Sequence, residues 1–215
     1  MMIRRAARIT LAFMALAPLG GCVSGFLGGG TPDTLYRFGG SAPASESVSS
    51  VQQATKRLVV LQKTSFPPEI NGDRLLAVHG DRALYIKGSR WVTAAPSLFT
   101  QALIATLRSR APDIRVATVP GGDVAGYALA TTIDRFDVRY GDDAMQAPPT
   151  VEIDGGATLI GLTDRKVVAE KHFSIHVVAA QDRAPSIVAA YGQATQLYTA
   201  SVSDWVASTT SGRQP

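Results

Sequence analysis

Cys22 is the only cysteine of the sequence, and it directly follows Leu19-Gly20-Gly21. A thiol in that setting reacts with lipid. The sulfur takes a diacylglycerol, a peptidase that needs small residues beside the scissile bond cuts between Gly21 and Cys22, and the new α-amine is acylated in turn. Arg4, Arg5 and Arg8 precede an apolar run from Ile9 to Leu19, broken only by Thr10. This is the layout of an export signal, and the run is too short to cross a hydrocarbon core of about 30 Å as a helix. Two or three acyl chains, at about 0.8 kcal/mol per buried methylene, anchor a protein stably where one does not. Acylation also withdraws the sole thiol from the candidate nucleophiles and metal ligands.

The remaining residue types with chemical potential are weakly arranged. His172 and His176, four apart on a strand-like run, point the same way, and Glu170 joins them. Such a trio could hold a metal. The pattern lacks His-Glu-x-x-His, and the opposite parity (Ala169, Phe173, Ile175, Val177) is the apolar one. The histidines therefore read as a solvated sheet face, and no metal is expected. Asp142-Asp143 and Asp134/Asp137 are carboxylate pairs of the kind common in turns and at strand edges. There is no Gly-x-Ser-x-Gly elbow and no Cys–His arrangement once Cys22 is acylated. Gly28-Gly29-Gly30 and Gly121-Gly122 precede no Gly-Lys-Ser/Thr, so no phosphate loop follows. Gly155-Gly156 sits inside a strand-like run and reads as a turn or bulge. The expectation is a non-enzymatic chain whose only prosthetic group is the lipid on Cys22. Trp91, after Lys87-Gly88-Ser89-Arg90, either packs over the sheet or joins Arg90 in a contact surface, since tryptophan and arginine are favoured interface anchors.

The elements that would carry these residues are legible from periodicity. The chain has 215 residues and net charge +4. Three of those charges are the arginines of residues 1–21, which contain no acid, so the remainder carries +1. That balance, with no basic stripe downstream, argues against nucleic acid as a partner. Val23 to Asp33 is a glycine-rich tether, Leu35-Tyr36-Arg37-Phe38 a short strand, and Gly39 to Thr55 a polar, Ser-rich loop. Leu58 to Leu61 is a strand, broken off by Pro67-Pro68. Arg74–Val78 and Ala83–Lys87 form a hairpin through His79-Gly80-Asp81-Arg82. Pro96 to Arg108 is a helix with Phe99, Leu103 and Leu107 on one face. Ile114–Thr118, Tyr127–Tyr140, Val151–Leu162 and Val167–Val178 are strands, the last three an antiparallel meander. Within Tyr127–Tyr140 the apolar parity switches between Ile133 and Phe136, which requires an extra residue near Asp134-Arg135. A final helix runs from about Pro185 to Val206, with Asp182 as its cap. The fold class is α+β, a single domain with a mixed or antiparallel sheet and two main helices on it. The division is 1–21 signal, 22–56 lipidated tether with a short strand and loop, 57–208 domain, and 209–215 frayed tail.

The order of these features resembles the ABC-type transport auxiliary lipoprotein family, which includes the paraquat-inducible lipoprotein and the lipoprotein components of mammalian-cell-entry (MCE) systems. The resemblance rests on Cys22, Leu35-Tyr36, Asp73-Arg74-Leu75, Tyr85, Arg90-Trp91, the helix from Pro96, Ile133-Asp134-Arg135-Phe136, Arg165 to Phe173, and Asp204-Trp205 in the last helix. It implies a lipoprotein at the periplasmic face of the outer membrane, a localisation that Val23, rather than Asp, after the cysteine also favours. It implies docking to an MCE-domain protein of an ABC lipid transporter, and a ring of identical copies is among the assemblies it allows. Asp73, Arg74, Tyr85, Arg90 and Trp91 are the expected contact surface. The alternative is a different envelope-assembly lipoprotein, for secretion, lipopolysaccharide export or peptidoglycan-synthase activation.

Overall fold

A computed structural model describes residues 32–39, 56–119, 125–141 and 147–211. Cys22 and its signal, the loop from 40 to 55, the turn at 120–123 and the pair Asp142-Asp143 lie outside these. The elements are β1 (Thr34–Tyr36), β2 (Arg57–Leu61), a 3₁₀ turn (Pro68–Ile70), β3 (Arg74–His79), β4 (Arg82–Trp91), α1 (Ala95–Arg110), β5 (Ile114–Ala117), β6 (Gly126–Tyr140), β7 (Thr150–Gly161), β8 (Val167–Val178) and α2 (Ala184–Ser211). The eight strands form one mixed sheet, as the α+β reading expects.

β6 is the spine of the sheet. One edge pairs antiparallel with β7 from Tyr127 to Arg139, and β7 pairs antiparallel with β8. The other edge is served by an interrupted strand. β2 runs parallel to Gly126–Leu129, Ser65 bridges to Thr132, and β3 resumes parallel to Val138–Tyr140. Pro67 and Pro68 cause the interruption, since proline has no N–H to give the ladder. β5 extends the sheet beyond β2, and β4 then β1 extend it beyond β3. The two helices cover one face, where Leu129, Ile133, Phe136, Val138, Ile153 and Leu159 meet Phe99, Leu103, Tyr191 and Tyr198 in the core.

The parity switch of β6 is a bulge in the register between Ile133 and Arg135, opposite Gly155 and Asp154. Gly155 is required there. A Cβ on it would lie 2.2 Å from the Thr132 carbonyl oxygen and 2.9 Å from the Tyr198 hydroxyl. The β3–β4 turn closes on Gly80-Asp81, with His79 paired to Arg82 and Gly80 at φ +54°. That left-handed angle favours glycine.

Boundaries and one expected helix cap differ from the sequence reading. The compact unit starts at Asp33, not at 57, because β1 pairs with β4 and Phe38 is buried against Trp91, their ring centroids 4.8 Å apart. A run of four residues has too little periodicity to announce that role. The last helix continues through Ser211, where Thr210 is buried and its hydroxyl donates to the Val206 carbonyl; the polar composition of 209–211 hides this. Asp182 accepts a hydrogen bond from the Tyr140 hydroxyl at 2.6 Å, tying the entry of α2 to the end of β6.

Candidate functional site

β4 leaves β3 partway along its length. It pairs with β3 from Arg82 to Tyr85, then runs three extra residues before Arg90 returns opposite Arg74. Gly88, at φ +71°, makes that departure possible. The freed end of β4 takes up β1 as a parallel partner, Thr34 to Ser89 and Tyr36 to Trp91, and the Val92 N–H donates to the Tyr36 carbonyl. The result is an arm at the end of the sheet, formed by β1, β4 and the start of β3.

Arg90 holds the arm together. Its Nε donates to Asp33 just before β1, and its Nη1 lies 3.1 Å from both carboxylate oxygens of Asp73 just before β3. Hydrogen bonds and charge from Asp33 and Asp73 raise its pKa further, so it is permanently cationic. Arg74 stacks its guanidinium 3.9 Å above the centre of the Tyr85 ring. The Tyr85 hydroxyl donates to the Glu69 carbonyl at 3.0 Å. Tyr85 is thus fixed at both ends while one side remains open.

The arm carries four exposed apolar side chains. Leu84 is 63% and Leu35 59% exposed, and Tyr85 and Val92 are each more than a third exposed. Exposed apolar side chains are what a contact surface uses; these are spread over β1, β4 and Val92, and the consecutive Leu84 and Tyr85 point to opposite faces. Of the five residues expected to form it, Asp73, Arg74, Tyr85 and Arg90 converge here. Trp91 does not belong to the surface. It is 2% exposed and packs edge-on against Phe38 and Tyr191, at 4.8 and 5.1 Å between centroids. The cause is strand parity: β4 runs on through Trp91, which takes the buried side next to half-exposed Arg90. Asp33, Leu35 and Leu84 are not among the contact residues expected from the sequence. The repeated motif of an aspartate just before a strand, at 33 and 73, is the signal that could have found the first.

The other sequence candidates separate. Glu170, His172 and His176 lie on the exposed outward side of β8, facing Thr158, Gly156 and Glu152 respectively. Asp134 is exposed at the bulge, whereas Asp137 is 5% exposed. Burial pushes the Asp137 carboxyl up to about 6, against the opposing pull of Arg139 and Arg135. No described helix is long and apolar enough to cross a membrane.

Comparison with known proteins follows the same lines. The sequence pattern of the ABC-type transport auxiliary lipoprotein component matches residues 36–203. Among solved structures, protein XCC0632 from Xanthomonas campestris superposes with a TM-score of 0.64 at 22% identity, covering 83% of this chain and 94% of that one. A second, an uncharacterized protein, gives 0.64 at 18% identity, with 82% and 99% covered. Hypothetical protein CT253 from Chlamydia trachomatis gives 0.51 at 9% identity, with 74% and 99% covered. At these identities the likeness is one of fold. No match is found among curated proteins.

Proposed function

The chain belongs to the ABC-type transport auxiliary lipoprotein components, and from that premise we propose that it is the non-enzymatic docking component of an MCE-type ABC system that moves lipid between membranes. Acyl chains on Cys22 hold it at the periplasmic face of the outer membrane. The domain presents the β1–β4 arm to the MCE-domain protein. The observation that carries this reading is the arm itself, which leaves Leu35, Leu84, Tyr85 and Val92 exposed and is held by a side-chain frame of Arg90 with Asp33 and Asp73 and of Arg74 on Tyr85. Apolar anchors bordered by arginine suit a protein partner, and holding them rigid before contact lowers the ordering cost of binding.

The test is affinity purification of the tagged, acylated chain from detergent-solubilised envelopes. Recovery of an MCE or ABC component, lost on Leu84→Glu, is the expected result. Recovery of neither component while the anchor is intact would sink the proposal, and enrichment of secretion, lipopolysaccharide-export or peptidoglycan-synthase proteins would replace it. The anchor is tested separately: Cys22→Ser is expected to abolish acyl labelling and leave uncleaved precursor. Normal processing and release of that variant would refute the lipidation.

A further inference from the structure

The outward face of the meander holds a second arrangement, unrelated to the arm. Glu152 and Asp154, two apart on β7, point to the same side. Across the strand, His176 stands opposite Glu152 and Ser174 opposite Asp154. The four carboxylate oxygens are divided between two arginines and an imidazole. Arg135 Nη1 lies 2.8 Å from Glu152 Oε2 and 3.1 Å from Asp154 Oδ2, and Arg139 Nε lies 2.9 Å from the same Glu152 oxygen. The other two oxygens turn to the imidazole: Glu152 Oε1 is 3.8 Å from Nδ1 and Asp154 Oδ1 is 3.7 Å from Nε2.

Those two distances are too long for hydrogen bonds. Asp154 Oδ1 is nevertheless buried, and none of the described residues donates a hydrogen bond to it. A buried acceptor without a donor is costly unless something else fills the gap. The histidine is oriented as well. Its Nε2 lies 2.8 Å from Ser174 Oγ, and the tautomer that donates Nε2–H to that oxygen leaves the Nδ1 lone pair free. One donor atom from each of Glu152, Asp154 and His176 falls within 4.8 Å of the others.

We propose that Glu152 Oε1, Asp154 Oδ1 and His176 Nδ1 bind a first-row divalent cation. Metal–ligand bonds of about 2.0–2.2 Å would draw such donors to roughly 3–3.5 Å from one another; Glu152 Oε1 and His176 Nδ1, at 3.8 Å, are a few tenths of an ångström from that, whereas Asp154 Oδ1 faces Nε2 and needs a turn of the half-exposed imidazole to share the ion with Nδ1. One imidazole with two carboxylates suits zinc. The arginines keep the oxygens they already hold, so they orient the carboxylates as an outer shell and need not be displaced. His176 is half-exposed, which provides the entry path and leaves the remaining coordination position to water. His172, facing Gly156 farther along β8, is not part of the site.

The experiment is a titration of the metal-stripped full chain in detergent micelles, with zinc alone as the probe, in competition with a chromogenic chelator. One zinc per chain is expected. His176→Gln and Asp154→Asn should abolish competition with the chelator. Ser174→Ala should weaken it about 10–100-fold, the usual effect of losing an outer-shell partner, and His172→Ala should leave it unchanged. Where Asp154→Asn fails to fold in metal-free buffer, His176→Gln decides, because it alters an exposed side chain. The proposal is overturned if the wild-type chain takes up no zinc, if uptake survives His176→Gln at full affinity, or if His172→Ala removes it equally.

Discussion

The arm and the meander are built from the same sheet to opposite standards. β6, β7 and β8 are strands of 15, 12 and 12 residues, paired almost without interruption. Their inner side chains, from Leu129 to Val177, are sealed beneath α1 and α2. The arm is the reverse. β1 has three residues, β4 abandons β3 partway, and apolar side chains that could have been buried are left in water. The meander spends its hydrophobic residues on stability and the arm holds some in reserve. They are joined where β3 pairs with β6 and where Trp91 and Phe38, at the root of the arm, pack against Phe136 in the common core. The docking role proposed above calls for such a division, because a contact surface cannot contribute its full hydrophobic area to folding and to a partner at once.

This contrast can be broken in graded ways. Trp91→Ala removes the shared core residue and should cost about 3–5 kcal/mol, the range for truncating a buried tryptophan. Urea denaturation measures it, and a cost below 1 kcal/mol would contradict the burial described. Gly155→Ala acts on the meander alone. The added methyl meets the Thr132 carbonyl, so a loss of about 1–3 kcal/mol is expected from overpacking, with the midpoint falling and partner capture retained. Leu84→Glu acts on the arm alone. It should leave stability within about 0.5 kcal/mol of wild type, as exposed substitutions do, while abolishing capture of the partner; an equal loss in both measurements would mean that the arm is structural. Arg90→Ala gives the smallest effect on unfolding, because exposed ion pairs contribute little to it. Its mark is local: proteolytic cleavage between residues 33 and 39 should speed up while the meander stays protected. Unchanged cleavage there would show that pairing of β1 with β4 suffices without the clamp.

The sequence exposes the meander more fully than the arm, for a physical reason. Long half-buried strands write a period of two into the chain, so even the bulge at Asp134 is visible as a change of parity between Ile133 and Phe136. The Gly80-Asp81 turn and the face of α1 are legible on the same grounds. The arm depends instead on pairings between residues more than fifty positions apart, such as Leu35 with Arg90. Periodicity carries no information about partners. Trp91 shows the cost: with β4 read as ending at Lys87, its side could not be assigned, and only the continuation past Gly88 sends it inward. His176 shows the same limit. Its neighbours along the strand, Glu170 and His172, are visible in sequence, whereas the carboxylates that face it come from β7.

The parallel pairing of β1 with β4 also has a mechanical meaning. A chain tethered ahead of Asp33 transmits tension along the axis of β1, so the bonds between Thr34–Tyr36 and Ser89–Trp91 bear load together in shear rather than opening one after another. Phe38, seated in the core on the far side, acts as a toggle that must be extracted before the strand can slip. Given the anchor and the docking proposed above, membrane undulation or the pull of a working transporter would reach the domain as a displacement of the whole body, with the arm still in shape.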